Sequence, residues 1–207
     1  MNEFSRIIRL LTRPVAAWRE IEADNRAIAS IFFRLVLPFL LLGSVAIFIG
    51  YGIVGLDTFI LKIKGINWGL WFGLRYLITG TIVFFACTYA IDMLAPVFHS
   101  ERNLIKSAQL IAYSSVPSWI TALLLFYPFL GFLGLLGLYG VYLFYKGLPV
   151  LKKTPADKRI IYMLVSALLI IILSWLIQIG VGSVLEQFFG DPYASNVEEF
   201  RNLNRGK

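Results

Sequence analysis

Between Ala108 and Leu148 the sequence carries no charged residue until Lys146. One bilayer crossing takes roughly 20 apolar residues, so the run suits two crossings. A chain with such a run is constrained to a helical hairpin in hydrocarbon. Pro128, after Tyr127, lies where the hairpin turns. Gly131, Gly134, Gly137 and Gly140 follow along its second half, and Gly147-Leu148-Pro149 closes it. A basic stretch comes next, with Lys152, Lys153, Lys158 and Arg159. Both ends of the hairpin therefore lie on the basic side.

The rest of the 207 residues agrees with this reading. Hydrophobic residues make up 58% and charged residues 15%, and mean hydropathy is +0.76. That balance is too apolar for a soluble globule. The apolar residues gather into five spans, at about 31–56, 69–96, 107–126, 129–148 and 160–187. The fold class expected is all-α: a polytopic bundle of five transmembrane helices. Residues 1–30 read as a cytoplasmic amphipathic segment, 31–189 as the membrane domain and 190–207 as a flexible polar tail. The arginines that interrupt the N-terminal stretch argue against a cleavable signal peptide. Cys87 is the lone cysteine and His99 the lone histidine, which excludes an intrachain disulfide and a His/Cys metal cage. No cofactor is implied.

Residues 2–19 have helical amphipathic periodicity. Phe4, Ile7, Ile8, Leu11, Val15 and Trp18 share one face, opposite Arg6, Arg9 and Arg13. Such a helix lies either in the membrane interface or on the protein's own surface. Pro14 predicts a kink or a division into two helices.

Five spans put the termini on opposite sides. Lysine and arginine total thirteen on the side holding the N-terminal arm and the 97–106 and 146–159 loops, against five on the other. The N-terminus is therefore expected in the cytoplasm, with the C-terminus across the membrane. The net charge of +7 does not point to nucleic acid, because the basic residues flank apolar runs and form no groove interleaved with aromatics. It fits attraction to anionic lipid.

Ionisable residues within spans are costly and are candidate sites by default. Asp92, near the cytoplasmic end of the second span, is the foremost, with Arg34 and Lys146 near the same level on other spans. A pair with either would offset part of its burial cost. A plain structural ion pair, or exposure at the headgroups, is the preferred reading, because interfacial charges are cheaper than central ones. Arg75 near the opposite face is explained by snorkelling. Pro117 after Ser114-Ser115 predicts a kink in the third span. No HExxH, GxSxG or phosphate-binding loop is present, and no acid lies beside His99, so the chain does not read as an enzyme.

The stretch AYSSVPSW (112–119), followed by residues 123–162, resembles the Yip domain family of Ypt/Rab-interacting proteins, in its bacterial inner-membrane type. The segment LLTRPVAAWREIEAD (10–24) looks like the opening of those bacterial proteins, and YLFYKGLPV (142–150) with KTP (153–155) is the most specific part. The resemblance implies five spans, a cytoplasmic N-terminus and no catalytic residues. Eukaryotic members are associated with Rab GTPases, but their Asp-Leu-Tyr-Gly-Pro type motif is not found in this sequence, so Rab binding is not carried over. The function expected is non-enzymatic: binding partners or organising membrane. The surface expected to do so is Arg6, Arg9, Arg13 and Trp18 on the arm with Lys152, Lys153, Lys158 and Arg159 in the loop. Its partners would be anionic lipid, a membrane or cytoplasmic protein, or a second copy of the chain. The alternative is a small oligomeric transporter or channel with Asp92 and the Pro117 kink near its path.

Overall fold

A computed structural model of the chain describes residues 3–57 and 62–190. The polar tail, with Asp191, Glu198 and Glu199, lies outside the described residues, as do Met1 and Asn2. Among the described residues five helices are long and apolar enough to cross a membrane: Ile28–Val54, Ile66–Phe98, Leu104–Phe126, Pro128–Leu151 and Arg159–Phe189. The protein is an all-α, multi-pass membrane protein. A two-stranded antiparallel ribbon, β1 (Leu56–Asp57) and β2 (Lys62–Ile63), joins the first two spans.

The N-terminal arm divides at Pro14 into α1 (Glu3–Thr12) and α2 (Pro14–Glu22). Proline has no amide hydrogen to continue the first helix but suits the first turn of the second. The arm is folded onto the bundle. Leu10, Ala17, Trp18 and Ile21 have no exposure at all, and α2 packs along the fourth span. The single apolar face read from the sequence is thereby divided. Ile7 and Trp18 turn inward, while Phe4, Ile8 and Val15 stay exposed.

The spans are not uniform α-helices. Pro38 cannot donate to the Arg34 carbonyl, and a π-helical turn over Phe32–Val36 leads into it. The third span breaks at Ser115, between helices Leu104–Ser114 and Val116–Leu123, with Pro117 at the second helix's start. The fourth opens with an unusually long 3₁₀ segment, Pro128–Leu138, before turning α-helical over Tyr139–Leu151. A 3₁₀ helix has three residues per turn, so glycines spaced by three stack along one edge of it. Close approach follows at only two of them. A Cβ on Gly137 would reach 2.9 Å from the Ser118 hydroxyl and one on Gly140 would run into the Ser114 carbonyl, whereas Gly134 has open space.

The main core gathers at the arm's end of the bundle. There Leu10, Trp18 and Ile21 meet Ile91, Leu110, Leu143, Leu148 and Tyr162. The far half holds only a small cluster of Trp71, Val181 and Leu185. Exposed apolar side chains such as Leu164, Leu168, Ile171 and Trp175 along the fifth span face outward, where hydrocarbon is the solvent.

Candidate functional site

The arm's end of the bundle is knit together by buried charge. The second span delivers Asp92, 4% exposed, to a point where the chain returns twice. It first returns at Asn103, which caps the third span by accepting a hydrogen bond from the Lys106 amide. The Asn103 amide donates to Asp92 Oδ1 at 2.8 Å, and the Ser107 hydroxyl, one turn on, donates to the same oxygen at 3.0 Å. The second return is at Lys152, just past the end of the fourth span. Its ammonium is wholly buried and donates to Asp92 Oδ1 at 2.9 Å, Ser107 Oγ at 2.8 Å and the Asn103 carbonyl at 3.4 Å. Three donors thus find three acceptors, the condition under which a buried ammonium is tolerated. Burial draws Lys152 below the usual ammonium range, a fall that the Asp92 carboxylate opposes. From the rim, Arg102 Nε reaches Asp92 Oδ2 at 3.3 Å.

The loops around this pair are tied to each other. The Glu101 amide donates to the Lys152 carbonyl at 2.8 Å, Ser100 donates to Thr154 at 2.9 Å, and Lys153 pairs with Glu101 at 2.6 Å. His99 and Lys153 take left-handed backbone angles, φ 54° and 50°, where the chain reverses.

A second polar cluster clamps the arm. Arg6 Nη1 donates to Asp24 at 2.8 Å and to the Tyr113 hydroxyl at 3.0 Å, and Tyr113 in turn donates to Glu3 at 3.0 Å. Burial would lower the Arg6 pKa, but Tyr113, Asp24 and Glu3 outweigh it and the net shift is upward. Arg26 pairs with both Glu3 and Asp24. From the third span, Lys106 donates to the Glu22 carbonyl and to Asn25, and Gln109 to the Asp24 carbonyl. Trp18 donates its indole N–H to the Leu143 carbonyl at 3.1 Å.

These contacts revise the residues singled out from the sequence. Asp92 meets Lys152, not Arg34 or Lys146. Arg34 points outward, and Lys146 lies over the rings of Tyr142 and Tyr145 at 5.4 and 5.8 Å. The level of a residue along its span does not fix the direction it faces, and neither residue faces Asp92. Arg6, Trp18 and Lys152 cannot serve as an accessible surface, because they are 7%, 0% and 0% exposed. Each finds its hydrogen-bond partners inside. Arg9, Arg13 and Lys153 remain exposed, and Lys158 and Arg159 are partly so. Arg9 pairs with Glu20 at 2.8 Å, Lys158 lies 3.8 Å from Asp157, and Arg159 lies over Tyr145 at 5.7 Å. Sequence reasoning missed Ser107, Gln109 and Tyr113 as structural partners. Their signal was the run of polar residues opening an otherwise apolar span.

No curated protein and no solved structure matches the chain. A family model described as the Yip1 domain matches residues 8–177, from the middle of α1 into the fifth span. That match takes in Trp18, Asp92, Ser107 and Lys152 together, and the chain belongs to the Yip1 domain family.

Proposed function

We propose that the protein is non-enzymatic and works by binding at the face that carries the arm, with anionic lipid headgroups as the first partner. In this reading residues 1–30 are its binding segment and 31–189 its anchor, with the N-terminus on the cytoplasmic side of a bacterial inner membrane. One observation carries it. Arg13, Arg19 and Arg34 are exposed at this end and, among the described residues, have no carboxylate within ion-pair distance. Phe4, Ile8 and Val15 are exposed beside them. Cations with apolar neighbours favour a negatively charged membrane surface. Asp92, by contrast, is occupied on both oxygens, which favours a clamp over a permeation path.

Photocrosslinking in native membranes tests this, with probes at the outward-facing Phe4 and Lys153. The buried Trp18 is unsuitable as a probe position. A discrete adduct of anionic lipid or of one protein is expected at one of the two sites. No adduct from well-expressed protein would sink the proposal, and self-adducts alone would replace it with self-assembly.

A further inference from the structure

The half of the bundle away from the arm is loosely packed around a cavity of about 520 Å³ between the first, second, third and fifth spans. That volume is in the range of small-molecule sites. Its walls are largely apolar, with Leu40, Ile47, Trp119 and Leu125 among them. One turn of the second span adds Arg75, Tyr76 and Thr79. All three bring a polar atom that is buried and has no hydrogen-bond partner: Arg75 Nε, Tyr76 OH and Thr79 Oγ1. Thr79 is only 7% exposed.

Such atoms are expensive in hydrocarbon, where water does not satisfy them. Their clustering needs a reason. Arg75 is held in place rather than left to reach freely for the interface. Its guanidinium lies 4.7 Å over the Trp71 ring, and Nη2 donates to the Gln178 carbonyl at 3.2 Å. Gly182 lies alongside it, with a Cβ there in ordinary contact at 3.5 Å from Nη2. Gly43 gives room to the Tyr76 ring, which lies where its Cβ would be. Among the described residues no carboxylate pairs with Arg75. The site is therefore a fixed cation with two hydroxyls beside it and apolar walls.

We propose that this cavity binds the phosphate headgroup of an anionic glycerophospholipid, taken from the leaflet opposite the arm. Phosphate oxygens accept from Arg75 Nε, Tyr76 OH and Thr79 Oγ1, and the acyl chains leave along the apolar walls into the bilayer. A guanidinium is well suited to a phosphate. Among the described residues no carboxylate pairs with Arg75, which selects against a zwitterionic lipid, whose ammonium would have no partner. This site is independent of the binding face proposed above, since it lies at the other end of the bundle.

The test is native mass spectrometry of the full chain in detergent, titrated separately with phosphatidylglycerol, phosphatidylcholine and soluble glycerol 3-phosphate. Wild type is expected to retain phosphatidylglycerol over phosphatidylcholine. Arg75→Gln removes a charge-assisted bond and is expected to lower that retention about tenfold or more. Thr79→Val, which keeps shape and removes only the hydroxyl, is expected to lower it several-fold and carries the test if Arg75→Gln does not fold. Lys64→Gln, at an exposed cation that does not line the cavity, leaves retention unchanged. Equal retention of both lipids overturns the proposal, as does wild-type retention in Thr79→Val together with any folded Arg75→Gln protein. Competition by glycerol 3-phosphate at lipid concentrations would make this a soluble-anion site and overturn the lipid assignment.

Discussion

Removing the Lys152 ammonium is the most informative single perturbation. Lys152→Met keeps the length of the side chain and takes away its three donations, to Asp92, Ser107 and Asn103. The Asp92 carboxylate, 4% exposed, is left with the Asn103 amide, the Ser107 hydroxyl and Arg102. Breaking a buried pair by deleting one partner costs about 3–5 kcal/mol. The remaining donors put the expected loss near the lower end, about 3 kcal/mol. For a chain of this size each kcal/mol moves the midpoint by about 2–4 °C, so a fall of about 6–12 °C is expected. Asp92→Asn strands the buried ammonium and costs a similar amount. The double variant Asp92→Asn/Lys152→Met leaves neither charge unpaired and is expected to be more stable than the sum of the singles predicts, by at least about 1.5 kcal/mol. Thermal unfolding of the purified protein followed by tryptophan fluorescence reads all four corners of the cycle. A Lys152→Met loss under about 1 kcal/mol, or strict additivity in the double, would refute the clamp.

Three further outcomes follow from the packing. Trp18→Ala removes a fully buried indole and its bond to Leu143, at an expected cost of about 3–5 kcal/mol. Limited trypsin digestion should then cut the arm at Arg9 and Arg19 faster than in wild type, and unchanged digestion would contradict the docked arm. Gly140→Ala pushes a methyl into the Ser114 backbone and is expected to destabilise by about 1–3 kcal/mol. Gly134→Ala meets nothing within 4 Å and is expected to be neutral or to stabilise slightly, by up to about 1 kcal/mol; equal melting shifts for the two would contradict the packing described.

The spans themselves were legible because length and apolarity are one-dimensional properties. The sequence-based limits of 69–96 and 160–187 differ by only a few residues from Ile66–Phe98 and Arg159–Phe189. Which loops share an end of the bundle was also readable, and Asp92, Asn103 and Lys152 do meet at one end. Azimuth was not. Lys152 follows the end of its helix, where the chain reverses, and no periodicity predicts where its side chain goes. The apolar face that carries Trp18 suits the membrane interface and the protein's own surface equally, and Trp18 fills the core under the fourth span, where Gly147 leaves room for its ring. One cue was available for the central helix. The third span is the least apolar of the five and the most enclosed, while the fifth is the most apolar and the least enclosed. A helix surrounded by protein does not need a lipid-facing surface and can carry Lys106, Ser107 and Gln109.

The docked arm sets an order on the birth of the protein. Arg6 waits for Tyr113, 107 residues later, and Trp18 for Leu143, 125 residues later. At translation speeds of about 5–20 residues per second, the indole N–H has no native acceptor for about 6–25 s after it leaves the ribosome. During that interval its basic, amphipathic helices are best accommodated at the nearest membrane surface. The arm thus becomes a core element only when the fourth span has been made.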